Sequence, residues 1–394
     1  MKELSRLVEG VPPSAIRRFF NLVSSRKDII SLGVGEPDFA TPWHIREAAI
    51  ELINNGRTTY SDNRGLPVLR EAIANFLCSF YGLEYDPETE LMISVGVSEG
   101  LDLAMRAILN PGDEVIIPEP SYVSYKPCVT FAGGTPVPIS SQPARGFRIT
   151  AGEIEAAVTG RTKAILLNYP TNPTGATLSH DDVEAITEVA ERHDLYIISD
   201  EIYDRLSYDT EHVPFPRVPG ARERTIYLNG FSKAYSMTGW RAAYAAAPHA
   251  IMDNMVKIHQ YTMLCAPVVA QHAALEAIRN GQPEVDEMVT EYDRRRRFFV
   301  EGLNAIGLEC HLPGGAFYAF PSVQSTGLTS DQFAERLLHE EGVATVPGSA
   351  FGECGEGFIR CSYATSLTKL REALVRMQRF VARYQTPSLQ VKVG

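Results

Sequence analysis

Leu195-Tyr196-Ile197-Ile198-Ser199-Asp200-Glu201-Ile202-Tyr203 is a short apolar run that ends in a carboxylate. Continuous apolar residues over so few positions, without alternation, predict a strand buried on both faces, as in a parallel sheet covered by helices. A carboxylate at the end of such a strand is a buried Asp, and it needs a partner. Two further runs have the same form. Ala164-Ile165-Leu166-Leu167-Asn168 passes into the polar turn Tyr169-Pro170-Thr171-Asn172-Pro173-Thr174-Gly175. Thr225-Ile226-Tyr227-Leu228 passes into Asn229-Gly230-Phe231-Ser232-Lys233-Ala234-Tyr235-Ser236-Met237-Thr238-Gly239-Trp240-Arg241, before another apolar run over 242–245. In an open parallel sheet, ligands collect outside the carboxyl ends of the strands, so Asn172, Asp200 and Lys233 are expected to converge on one crevice.

The chemistry of that crevice follows from its residue types. Taken alone, Lys233 reads as a surface lysine in a turn. Carried between two buried elements, it is expected to be partly desolvated, which lowers its pKa and favours the neutral amine that attacks carbonyls to give imines. Ser232, Ser236, Thr238 and Gly239 surround it with small hydrogen-bonding groups, and Arg241 suits bidentate contact with a phosphate. A lysine beside a phosphate site suggests pyridoxal phosphate, whose protonated ring nitrogen would partner Asp200. Upstream, the strand Leu91-Met92-Ile93-Ser94-Val95 leads through Gly96-Val97-Ser98-Glu99-Gly100 into a helix expected from about Leu101 to Leu109. A strand, a glycine-bounded turn and a helix N-terminus make an anion site, so Ser98, Ser232 and Arg241 are expected to cup the phosphate.

The 394 residues allow a large core and one to three domains. An apolar fraction of 44% and a charged fraction of 22% are those of a soluble globular protein. The net charge of −11 opposes non-specific nucleic-acid binding and gives no attraction to anionic membranes. No run reaches membrane-spanning length, and Met1 to Arg6 mixes charges without a signal-peptide core, so a cytoplasmic protein is expected. The six cysteines and nine histidines show no metal-ligand spacing; no metal is expected, and the thiols read as reduced. Arg294 to Arg297 reads as a solvated helix face. Ser14 begins a helix over 14–23, and Gly33 and Gly35 follow a short strand in a loop where backbone can approach a ligand. Strand-like runs at 135–139, 163–168, 195–200, 224–229 and 242–247 alternate with helical stretches, including 179–193, which predicts a mostly parallel sheet. Asn280-Gly281-Gln282-Pro283 breaks this pattern before a long helix over 284–306. Helices over 330–341 and 367–384, with strands around 316–320 and 357–363, predict a smaller α+β domain, and the tail after Gln385 reads as frayed.

Asn-Pro-Thr-Gly (172–175), Ser-Asp-Glu-Ile-Tyr (199–203), Ser-Lys (232–233) with Met-Thr-Gly-Trp-Arg (237–241), and Arg360 recur in the order and spacing of a known family. Over nearly its whole length the chain resembles the class I aminotransferases of the fold-type I pyridoxal-phosphate enzymes, especially the microbial aromatic and aspartate branch. The resemblance implies an α/β fold with a large domain over 48–284, whose mostly parallel sheet is flanked by helices. A smaller α+β domain over 285–394 joins an N-terminal segment, 1–47. The implied cofactor is pyridoxal 5′-phosphate, and the implied reaction moves the amino group of an L-amino acid, aromatic favoured, to a 2-oxo acid such as 2-oxoglutarate. Lys233 would hold the cofactor as an imine and serve as general base and acid. Asp200 would keep the ring nitrogen protonated, Tyr203 and Asn172 would bond the ring oxygen, and Tyr122 would stack on the ring. Gly96, Val97, Ser98, Ser232 and Arg241 would hold the phosphate. In a homodimer with shared sites, Tyr60 would reach the phosphate in the neighbouring subunit. Gly35, Asn172 and Arg360 would bind substrate, with a structural ion pair as the other reading of Arg360. Some aspartate-specific relatives carry a lysine at the position of Ser98, so acidic side chains should be only modestly favoured, and Ile16 would meet the substrate. Aspartate aminotransfer, a carbon–sulfur β-lyase, a cyclopropane-forming synthase and a ligand-binding regulator are the alternatives.

Overall fold

The computed structural model describes residues 2–13 and 28–384; the expected helix over 14–23, Ile16 within it, and the tail after Gln385 lie outside them. A one-turn helix α1 (Arg6–Glu9) and a short strand β1 (Ile30–Ser31) precede α2 (Trp43–Asn54) and α3 (Pro67–Tyr81). Strands and helices then alternate as β2 (Leu91–Ser94), α4 (Val97–Ile108), β3 (Glu114–Glu119), α5 (Tyr125–Phe131), β4 (Thr135–Ser140), α6 (Ala151–Ala156), β5 (Thr162–Asn168), α7 (His180–Arg192), β6 (Tyr196–Asp200), β7 (Thr225–Gly230) and β8 (Ala243–Ala246). Helices α8 (His249–Thr262), α9 (Val268–Asn280) and α10 (Gln282–Ala305) follow. The remainder is β9 (Tyr318–Ala319), α11 (Ser330–Glu341), β10 (Val343–Ala344), β11 (Val346–Pro347), β12 (Ile359–Ser362) and α12 (Leu367–Tyr384).

The sheet has seven strands in the order β2-β8-β7-β6-β5-β3-β4, and only β8 runs antiparallel to its neighbours. Its apolar runs are continuous because both faces are covered. Ile197 enters the core beneath α7 while Ile198 enters the opposite one beneath α4 and α8, and Ile116 and Ile117 of β3 divide in the same way. Sharp ends come from local chemistry: Ser179 and Asp182 form a capping box on α7, Thr329 and Gln332 another on α11, and Gly342 ends α11 in the left-handed region.

Beyond α10 the elements share a separate core. There β11, β12 and β9 form an antiparallel sheet, and β1 pairs in parallel with β10, so Leu32 joins Phe299, Phe333 and Phe380. Leu370, Ala373, Leu374, Met377, Phe380 and Val381 give α12 the helical stripe that seals this core. Ile202, Tyr203 and Leu206, on the loop after β6, are buried in it as well, which ties the second unit to the mouth of the large sheet.

Two expectations change. Helix α4 starts at Val97 rather than Leu101: Gly96 is its N-cap, and Gly100 lies within the first turns because a side chain there would press on Leu228. The run Arg294 to Arg297 is a solvated face only at Arg294 and Arg297, which are exposed. Arg295 and Arg296 are buried, the first on Asp38 and Glu291, the second on Asp209 and Asp293. Among the described residues no helix is long and apolar enough to cross a membrane.

Candidate active site

At the carboxyl ends of β5, β6 and β7 lies a cavity of about 490 Å³, lined by Asn172, Asp200 and Lys233 as expected from the strand ends. Gly35, Val97, Ser98, Tyr122, Tyr203, Ser232, Arg241 and Arg360 line it too. Gly96 stands just behind. Its φ of +77° and the room it leaves explain the glycine, since a Cβ would sit 2.1 Å from Nη2 of Arg241. Tyr60 does not line the cavity of its own chain; it is 82% exposed.

Each group has been tuned by burial. Asp200 accepts from the Tyr125 hydroxyl at 2.7 Å and from the Ile202 amide at 3.3 Å. Burial still pushes its carboxyl up to about 6, against the pull of those hydrogen bonds. Burial likewise brings the Lys233 ammonium down to about 8, although Glu36 opposes the shift. Lys233 Nζ donates to the carbonyl of Gly35 at 2.7 Å. The Tyr203 hydroxyl lies 2.9 Å from that of Tyr318, and burial holds its pKa well above the usual phenol value.

Arg360 is buried yet meets no carboxylate among the described residues. Nη1 donates to Asn172 Oδ1 at 2.9 Å and Nη2 to the Gly33 carbonyl at 2.6 Å, while the guanidinium lies over the Tyr318 ring. Its Nε has no partner. Among the described residues Arg360 makes no structural ion pair, and a buried cation with only neutral acceptors keeps capacity for an anion.

The anion cup is open in the same sense. Among the described residues, the amides of Val97 and Ser98 at the start of α4 have no acceptor within the chain, as expected of a helix N-terminus. Arg241, in the left-handed region at φ +59°, donates to the Thr238 carbonyl at 3.0 Å and lies against Gly96. Free amides and a guanidinium at one end, a buried carboxylate short of a cation in the middle and a half-buried amine fit a phosphorylated pyridine aldehyde.

Sequence reading missed Tyr125, Tyr318 and Asn168. Asn168 Nδ2 donates to the Asp200 carbonyl at 2.8 Å, and its Oδ1 accepts from the Asn172 amide at 3.1 Å. Asn168 ends β5 as Asp200 ends β6, so the strand-end signal was available for it. Glu36 also lines the cavity, accepting from the Thr238 hydroxyl at 3.0 Å. Away from the cavity, exposed His180, Asp181 and Glu184 bring ligand-type atoms within 4.8 Å of one another, a grouping absent from the expected metal spacings. It lies on the first turns of α7, where carboxylates also offset the helix dipole.

Residues 27–377 match the family described as aminotransferase class I and II. The chain is 54% identical over 378 residues to the putative aminotransferase YugH of Bacillus subtilis, covering 96% of this chain and 98% of that one. It is 46% identical to an aspartate aminotransferase of Pyrococcus abyssi, over 95% of this chain and 97% of the relative. The solved structure of an aromatic aminotransferase from Pyrococcus horikoshii superposes with a TM-score of 0.89 at 45% identity, over 93% of this chain and 99% of that one. The chain belongs to the class I and II aminotransferases, fold-type I pyridoxal-phosphate enzymes that move an amino group from an amino acid to a 2-oxo acid.

Proposed function

We propose that this chain transfers the amino group of aromatic L-amino acids to 2-oxo acids such as 2-oxoglutarate, with Lys233 as proton carrier and Arg360 as anchor of the substrate α-carboxylate. One observation carries the proposal: a buried guanidinium with only neutral acceptors shares a cavity with a half-buried amine and a buried carboxylate. Pyridoxal phosphate supplies an aldehyde that captures the amino group and a ring that takes up the electron pair left at Cα. The residues do the rest. The Val97 and Ser98 amides, Ser232 and Arg241 hold the phosphate. Asp200 would accept a hydrogen bond from the protonated ring nitrogen and keep it protonated, and that cation would be the partner its burial lacks. Asn172 uses Oδ1 on Arg360, which leaves Nδ2 to donate, with the Tyr203 hydroxyl, to the ring oxygen. Tyr122 stacks on the ring. Lys233 Nζ, brought down to about 8, is accessible as a neutral base near physiological pH and takes the Cα proton. Gly35 shapes the substrate side of the cavity.

The substrate preference rests on the lining. Among the described residues, Lys233, Arg241 and Arg360 are its basic side chains, and each already has a role, so a distal carboxylate is left with hydroxyls such as Ser98, Ser124 and Thr238, the like charge of Glu36, and apolar Val34 and Leu101. A homodimer with shared sites belongs to the same proposal. Asn63 Nδ2 ties the Tyr60 loop to the Leu264 carbonyl at 2.8 Å, and Tyr60, Tyr261 and Met263 are exposed in this chain. The division at 48–284 and 285–394 is also part of it. The test compares kcat/KM for phenylalanine, tyrosine and aspartate with 2-oxoglutarate as acceptor. The aromatic donors should lead by about tenfold, ~1.4 kcal/mol. A preference for aspartate, the substrate named for the Pyrococcus abyssi relative, sinks the aromatic reading. Release of pyruvate or thiol without a 2-oxo acid would instead mark a lyase.

A further inference from the structure

The turn that opens the cup is fixed from behind by groups outside the cavity. Glu99, the third residue of α4, folds back so that Oε2 accepts from the Val95 amide at 2.5 Å, while Oε1 faces Nδ1 of His259 at 2.7 Å. Its side chain is 9% exposed and that of His259 fully buried, so neither contact is shared freely with water. The next peptide is held too, since the Val95 carbonyl accepts from Nη2 of Arg241 at 3.5 Å. Val95 is thus gripped at its N–H by Glu99 and at its carbonyl by Arg241, and the next residues in the chain are Gly96, Val97 and Ser98.

A carboxylate in the first turn of a helix is favourable for the dipole, yet a phosphate at that terminus draws on the same field. Glu99 spends both oxygens on Val95 and His259, pointing its charge away from the free amides. We propose that Glu99 and His259 are positioning residues for the phosphate. They set the direction of the Val97 and Ser98 amides without touching the ligand, and His259 orients the carboxylate. The inference rests on the cup being the phosphate site.

The readout is binding. Dissociation constants of pyridoxal phosphate and of pyridoxal are measured by absorbance titration of the cofactor-stripped protein, and their ratio isolates the phosphate, because ring and Lys233 contacts are common to both. Glu99→Leu and His259→Phe should each raise Kd for pyridoxal phosphate by about tenfold while leaving pyridoxal unchanged. Glu99→Gln, which keeps an acceptor for Val95, and His259→Asn, which keeps a donor for Glu99, should stay within about threefold of the parent. If Glu99→Leu does not fold, the His259 pair decides alone. Equal weakening of both ligands, or an unchanged ratio in the folded loss variants, overturns the positioning role. A parent protein that binds both ligands equally overturns the cup itself, and that failure is visible before any variant is made.

Discussion

Arg296 and Arg360 are both buried guanidinium groups, and they have been treated in opposite ways. Arg296, on α10, gives Nε to Asp293 at 2.8 Å and Nη1 to Asp209 at 2.7 Å and the Pro313 carbonyl at 2.6 Å. Arg360, on β12, has an amide oxygen, a peptide carbonyl and an aromatic face, and an unused Nε. The first arginine is neutralised from within and holds structure together. The second carries its charge into the cavity, where an anion from outside can complete it. The two are linked through backbone. The loop held by Arg296 packs on the Asn172 turn so closely that a Cβ on Gly175 would lie 2.3 Å from Pro313.

The largest expected effect tests the internal pair. Arg296→Met removes two charge-assisted hydrogen bonds and leaves Asp209 and Asp293 to the exposed Arg297 alone; it should cost about 3–5 kcal/mol of unfolding free energy, read by denaturant titration, and a loss below about 1 kcal/mol would put Arg296 among ordinary surface ion pairs. Next comes the external one. Arg360→Gln should lower kcat/KM for any amino acid by roughly 10²–10³-fold, ~3–4 kcal/mol, with little change in Tm. A drop in Tm like that of Arg296→Met would erase the distinction between them.

The smallest effect concerns Asp200, the other buried charge short of a partner. Its carboxyl titrates at about 6 when folded against 3.8 in the reference state, so the folded protein holds a proton across that window. Stability of the cofactor-free protein should therefore fall as pH rises from 4 to 6 and stay lower above it. Asp200→Asn removes this loss, gaining up to about 3 kcal/mol at pH 8 and converging with the parent near pH 4. Calorimetry that shows the same gap at both pH values would mean that desolvation is not what shifts Asp200.

The strand ends could be read from sequence because a strand buried on both faces leaves an unbroken apolar signature, and the polar residue that ends it stands out. That is why Asn172, Asp200 and Lys233 were placed together. Tyr125 could not be found this way: it reaches Asp200 across 75 residues, and nothing in local periodicity encodes the contact. The inward half of the arginine run is hidden from sequence for a related reason. Arg295 and Arg296 lie on the inward side of α10 between Tyr292 and Phe299, but Asp38 and Asp209, which make burial tolerable, come from distant loops. The start of α4 was misplaced because Gly100 reads as a helix breaker until Leu228 is seen against it. Tyr60, whose proposed role lies across a subunit boundary, gives no signal within one chain beyond its exposure.

The peptide from Gly33 to Gly35 offers one carbonyl to Arg360 and another to Lys233. It is a resident competitor. A carboxylate that takes Nη2 from Gly33 exchanges a neutral acceptor for a charged one, while the unpartnered Nε is open to a further contact. At the exchanged position the newcomer is favoured by its ionisation, since a carboxylate makes a bond to guanidinium roughly twice as strong as a neutral carbonyl does. Discrimination between a free amino acid and its own amide is thereby assigned to a stretch of main chain, which sets the threshold that a ligand must exceed.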